Sequence, residues 1–207
     1  MARIGLLGGS FDPIHCAHLD LARCAAAQLG LQQVWLIPAA RPWQRASLGA
    51  SPAARADMVR LAAAGNPGLR VLDLELRRAG PTFTIDTLRA LCAKPPEHAF
   101  VLLLGGDQLG NFSTWKDWEQ IAALVDLAVA PRPGHALQAP PDLLRVLQAS
   151  GHALLRVDMP LADVSATQVR ERAAQGLSLR GLVPEAVADY IQRHQLYRNP
   201  PPPNGHP

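Results

Sequence analysis

Short apolar runs, most of them ended by glycine or proline, alternate with helix-forming segments along nearly the whole chain, and no other feature limits the possible folds so sharply. Arg3 to Leu7 is such a run, closed by Gly8-Gly9. His18 to Leu29 follows, with apolar residues at Leu19, Ala22, Ala26 and Leu29 before a stop at Gly30. Gln33 to Ile37 is a second strand, stopped by Pro38. Ser51-Pro52 reads as an N-cap with proline at the first helical position, opening a helix to Gly65. The pattern continues with a strand over Val71 to Leu76, a helix from Thr84 to Ala93, a strand over Phe100 to Leu104 and a helix over Trp115 to Leu124. Strands at Leu127 to Ala130 and Ala153 to Val157 enclose a helix at Pro141 to Ala149, and helices near Ser165 to Ala174 and Pro184 to His194 complete the series. Such alternation predicts an α/β fold: a doubly wound, mainly parallel sheet in a single domain. Residues 1–198 form that domain, and 199–207 (NPPPPNGHP) are expected to be a disordered tail, because proline supports neither a ladder nor a helix interior.

Composition narrows the function classes. Of 207 residues, 48% are hydrophobic and 18% charged, enough apolar material for a core and too much for wholesale disorder. No apolar run is long enough to span a membrane, and the stretch before Gly8 is too short for a secretory signal. Three cysteines (Cys16, Cys24, Cys92) without a C-x-x-C pair fit a reducing compartment, so a cytoplasmic location is expected. Net charge is +3, and all but two of the 20 basic residues are arginines, scattered without a block. Neither a nucleic-acid nor a membrane partner is signalled.

The loop after the first strand, Gly8-Gly9-Ser10-Phe11-Asp12-Pro13-Ile14-His15-Cys16-Ala17-His18, carries the chemistry. It is not a Walker loop, since no Gly-Lys-Ser/Thr follows, nor a dinucleotide fingerprint, since Gly5, Gly8 and Gly9 are wrongly spaced. Paired glycines still let a polyanion approach backbone amides. His15 and His18, three apart at a helix start, can present imidazole N–H groups to phosphate oxygens from one side of the first turn. The same spacing could hold a metal, but no third ligand stands nearby and H-E-x-x-H is absent, so no protein metal site is predicted. Two other segments are placed to join this loop. Ser165 is a natural N-cap, and Thr167 and Arg170 follow it on the same helix, where Arg170 could fork around a phosphate; an ordinary capped surface helix would read alike. Gly105-Gly106-Asp107 ends the most apolar strand, where glycines admit a flat base and Asp107 could accept from a ribose hydroxyl; a simple turn is the alternative.

GGSFDPIHCAH resembles the (T/S)-F-D-P-x-H-x-x-H loop of the nucleotidyltransferase superfamily. The fuller resemblance, over Ile4 to Arg198, is to the bacterial nicotinate-nucleotide adenylyltransferase family. It implies adenylyl transfer from ATP, with Mg²⁺, to nicotinate mononucleotide, forming nicotinate adenine dinucleotide and pyrophosphate in NAD biosynthesis. Carried over residue by residue, it implies catalytic roles for His18 and His15 and ATP contacts from Gly8, Gly9, Ser10, Phe11, Gly105, Asp107, Ser165, Thr167 and Arg170. Pro81 to Leu88 resembles the family's S/T-Y/F-T-x-x-T-L stretch and Thr114 to Trp118 its T-W-x-x-x-E region. Arg132-Pro133-Gly134 resembles its R-P-G loop. These imply acceptor contacts from Thr84, Trp115 and Arg132. Two places depart from the pattern. Arg41-Pro42-Trp43-Gln44-Arg45 stands where Pro-Pro-His-Lys is common, leaving Arg45 to supply the positive charge, and Lys116 replaces an aromatic residue after Trp115. Whether the chain is a monomer or an oligomer, and whether it separates the acid from the amide mononucleotide, is open at this level.

Overall fold

The computed structural model describes residues 1–43, 48–93, 98–131, 137–160 and 164–198. Arg45, Arg132 and the 199–207 tail lie outside them. Six strands, β1 (Ala2–Gly9), β2 (Gln33–Pro38), β3 (Leu69–Val71), β4 (His98–Gly105), β5 (Asp126–Ala130) and β6 (Leu154–Arg156), form one sheet in the order β3-β2-β1-β4-β5-β6. Every neighbouring pair is parallel. Among the described residues, eight helices lie between and after them: α1 (Cys16–Leu29), α2 (Pro52–Ala63), α3 (Thr84–Cys92), α4 (Gly106–Gly110), α5 (Trp118–Leu124), α6 (Pro141–Ala149), α7 (Ala166–Ala174) and α8 (Glu185–Arg193).

Period-two alternation within the strands divides the core between the two faces. Leu7, Val34, Leu36, Val101, Leu103 and Ala128 point to one side, where they meet Leu21, Ala25, Met58, Val59, Val169 and Val187 from α1, α2, α7 and α8. Leu6, Trp35, Ile37, Leu102, Leu104 and Leu127 point to the other, against Ile85, Leu88, Ile121 and Leu147 from α3, α5 and α6. A Cβ on Gly5 would lie 2.9 Å from Leu31 Cδ1, so glycine there lets β1 and its neighbours close up.

Strand order reverses between β1 and β4: the chain moves outward from β1 to β3, then returns to lay β4 on the far side of β1. In open α/β sheets the crevice at the carboxyl ends of two such strands is where ligands bind. Here it is flanked by Gly8-Gly9 of β1 and Gly105 of β4.

Two elements differ from expectation. The strand expected over Val71 to Leu76 ends at Val71. Leu72 N–H still donates to Leu36 O at 2.9 Å, but beyond it Asp73 is drawn to Arg60 (2.9 Å) and Glu75 to the Thr87 hydroxyl (2.8 Å), so side-chain partners replace the ladder. The helix expected from Trp115 begins only at Trp118, because Asp117 has φ +52°, a left-handed conformation that cannot sit inside a right-handed helix. A single 3₁₀ turn at Phe112–Thr114 precedes it. Elsewhere α1 starts at Cys16 rather than His18, and Ser51 and Ser165 are the expected N-caps, accepting from Ala54 N and Gln168 N.

Candidate active site

A cleft of about 500 Å³ opens at the β1/β4 crevice. Gly8, Gly9, Ser10, His15 and His18 line its floor, with Gly105 and Asp107 beside them. One end is walled by Ala130, the last residue of β5, and by Pro131, Met159, Pro160 and Val164, which follow β5 and β6. The other is walled by Pro42, Trp43, Glu75, Thr82, Thr84, Thr87 and Trp115, which follow β2, β3 and α4.

The two histidines are organised by the start of α1. His15 is its N-cap, in extended conformation, and His18 is the third helical residue. Their rings stack with centroids 3.7 Å apart and planes inclined by 28°. The His15 backbone N–H donates to His18 Nδ1 at 3.2 Å. With Nδ1 accepting, the proton of a neutral imidazole resides on Nε2, leaving that nitrogen as the donor. Burial pushes His15 down to about 4. His18 is pushed well below the ordinary range by burial first and by the neighbouring imidazole second. Both are therefore neutral at pH 7 in the ligand-free protein.

The loop beneath them is held by a network that bridges distant parts of the chain. Phe11, 1% exposed and at φ +45°, packs its ring edge-on against His18 at 5.1 Å. A strained backbone of this kind persists only where its surroundings over-determine it. Asp12 is buried and accepts from Gly49 N (2.7 Å), Ala50 N (3.0 Å) and the Tyr197 hydroxyl (2.9 Å). Burial and that carboxylate raise the pKa of the Tyr197 phenol, so it stays a donor. Arg55, wholly buried, donates to the carbonyls of Ser10, Ala39 (2.7 Å) and Ala40 (2.8 Å). Burial lowers its pKa, with Asp12 the main opposing influence. One guanidinium thus fastens the loop after β1 to the loop after β2.

At the opposite end, Glu75 accepts from the Thr87 hydroxyl, and Arg78 donates both to that hydroxyl (2.9 Å) and to Asp86 O (2.8 Å). These bonds pin the first turn of α3, with Phe83 as its N-cap and Thr84 in the cleft wall. Burial raises the Glu75 pKa against the pull of the Thr87 bond. Trp115 packs on Phe112 with centroids 5.3 Å apart.

Of the residues singled out from the sequence, His15, His18, Gly8, Gly9, Ser10, Gly105, Asp107, Thr84 and Trp115 come together around this cleft. Phe11 is placed differently: its side chain lies in the core behind His18 and does not reach the cleft. Ser165, Thr167 and Arg170 stand beside the wall residue Val164 without lining the cleft. Arg170 donates to Asp12 O (2.9 Å) and to Thr167 Oγ1 (3.2 Å), tying α7 to the histidine loop. Sequence reasoning missed Arg55, Glu75, Thr82, Thr87 and Tyr197. For Arg55 a signal existed, a charge on the apolar Arg55/Met58/Val59 stripe of α2.

Backbone groups at the strand ends and the imidazole pair offer donors of the kind that phosphate oxygens accept from. Sheet order and histidine loop together define a nucleotidyltransferase of the cytidylyltransferase-like class, and the family model of that description matches residues 6–172. Within the class, this chain belongs to the nicotinate-nucleotide adenylyltransferase family. A Bordetella petrii protein named "Probable nicotinate-nucleotide adenylyltransferase" is 56% identical over 96% of this chain and its own full length. A relative of the same name from Chromobacterium violaceum is 43% identical over 95% of this chain and 99% of its own. The structure of the Plasmodium falciparum nicotinic acid mononucleotide adenylyltransferase complexed with NaAD superimposes with a TM-score of 0.78, covering 95% of this chain and 98% of that one. At 19% identity that similarity speaks for the fold.

Proposed function

We propose that this protein transfers AMP from ATP, taken as its Mg²⁺ complex, to the 5′-phosphate of nicotinate mononucleotide, giving nicotinate adenine dinucleotide and pyrophosphate. The observation that carries the reading is the stacked His15–His18 pair lining the cleft at the carboxyl ends of β1 and β4. An acceptor phosphate oxygen attacks the α-phosphorus of ATP; the new P–O bond forms as the bond to the β-phosphate oxygen breaks, and pyrophosphate leaves. The attacking phosphate is already anionic, so no general base is needed, and the work of the protein is alignment and charge stabilisation.

His18 Nε2–H serves the oxygens that gain charge in the transition state, and His15 aligns the α-phosphate. The Gly8-Gly9-Ser10 backbone borders the phosphates, while the wall after β5 and β6, with Gly105 and Asp107, receives adenosine. Ser165, Thr167 and Arg170 serve the β- and γ-phosphates, which for Arg170 requires leaving Asp12 O. The described cleft offers only Asp107 and Glu75 as carboxylates, a donor set suited to a cation carried in on the triphosphate rather than a resident one. At the other end the pyridine lies by Trp115, its carboxylate near the α3 start at Thr84; Arg45 and Arg132 are the cations assigned to the acceptor's charge.

Pyrophosphate release with ATP and Mg²⁺, nicotinate mononucleotide against its amide, tests the reading. The acid is expected to be used and strongly preferred; silence with both would overturn it. In the same assay His18→Ala is expected to lower kcat/KM by about two to four decades, and a loss under tenfold would remove His18 from the reaction.

A further inference from the structure

Trp43 and Lys116, from the two places where the sequence departs from its family, converge on one aromatic ring. Thr82 N–H donates to Arg41 O at 3.0 Å and Pro42 pairs with Thr82 as an isolated bridge, so the segment after β2 lies along the segment leading into α3. This brings Trp43 against Phe83, with centroids 6.2 Å apart and planes inclined by 34°. Lys116, from the loop before α5, sets its ammonium 4.5 Å from the centroid of the same Phe83 ring. Three loops thus converge on Phe83, the N-cap of α3. Trp43 lines the cleft at the end that also holds Thr84 and Trp115, yet it remains 43% exposed and belongs to neither apolar core. An indole left this open beside a cleft gains from being covered by a flat ring. The ring of a pyridine mononucleotide is N-ribosylated and cationic, which adds attraction to the π-face.

We propose that Trp43 is an acceptor-binding residue, presenting an aromatic face to the pyridinium ring in addition to Trp115, with Phe83, itself covered by Lys116, packed against it. The assignment rests on the acceptor reading given above and concerns a residue outside the motifs shared with the family. Interlocking evidence comes from the loops themselves: the histidine of the usual pattern is replaced, and an aromatic ring now stands in the same loop.

The test compares wild type, Trp43→Phe and Trp43→Ala in pyrophosphate release, varying nicotinate mononucleotide and ATP separately. Trp43→Ala is expected to raise the acceptor KM about tenfold while the ATP KM stays within about twofold, and Trp43→Phe, which keeps an aromatic face, is expected to stay close to wild type. Tryptophan emission titrated with nicotinate mononucleotide should quench more in wild type than in Trp43→Phe. An unchanged acceptor KM in Trp43→Ala, or a joint rise of both KM values, overturns the assignment. A wild type that releases no pyrophosphate with nicotinate mononucleotide, while Trp43→Ala keeps its melting temperature, overturns the functional reading and this assignment with it.

Discussion

Acidification should destabilise the ligand-free protein through His15 in a pH window set by its own burial. Its folded-state pKa, pushed down to about 4, lies below the ordinary unfolded value of roughly 6.5. Between those values the unfolded chain binds the proton and the folded chain does not, so stability rises with pH across the window and falls as pH drops through it. Above about pH 6.5 both states are neutral and the effect vanishes. By pH 4.5 the difference amounts to roughly 2–3 kcal/mol, or about 5–10 °C in melting temperature for a chain of this size. His15 is only 7% exposed, and burial is what holds its pKa down. Carboxylates titrate near the lower end of this window too, so the measurement is a difference. Urea unfolding of wild type and His15→Asn is followed from pH 7.5 to 4.5, and the gap between the two curves should change with pH. Parallel curves would refute the reasoning, since they would mean that the folded protein protonates His15 as readily as the unfolded chain does.

Two further outcomes concern the network under the catalytic loop. Arg55→Met should destabilise by about 3–5 kcal/mol, because three carbonyls lose their donor and Asp12 loses a nearby cation; a loss below about 1 kcal/mol in urea unfolding would show that the carbonyls find other partners. Gly49→Ala would set a Cβ 2.8 Å from the Tyr197 ring, so the phenol should leave Asp12 at a loss of about 1–3 kcal/mol. Adding Tyr197→Phe should then cost little more, and full additivity in the double-mutant cycle would separate the two residues.

What could be read from the sequence and what could not differ by reach along the chain. The sheet was legible because most strands are local apolar runs and two of the helices between and after them announce their starts with a serine cap, at Ser51 and Ser165. The histidine pair was legible because its chemistry lies within four residues. Arg55, whose partners at Ser10, Ala39 and Ala40 are 15 to 45 positions away, was not. Tyr197 reaches Asp12 across 185 positions and has no local pattern at all. The short third strand and late start of α5 were missed for a related reason. Glu75 prefers a hydroxyl on α3, and Asp117, whose carboxylate pairs with Arg89 at 3.0 Å, adopts a left-handed turn; neither depends on its immediate neighbours.

The position of β1 has a consequence for how the chain comes to life on the ribosome. This strand is made first and ends central, with β2 on one edge and β4 on the other. Its second edge stays open until residue 98 and those after it have been synthesised. The loop it carries waits longer, since Asp12 takes Arg170 on its carbonyl and Tyr197 on its carboxylate. A nascent chain can therefore bury its first strand pair early, while the bonds that hold the histidine loop form only once residue 197 has emerged.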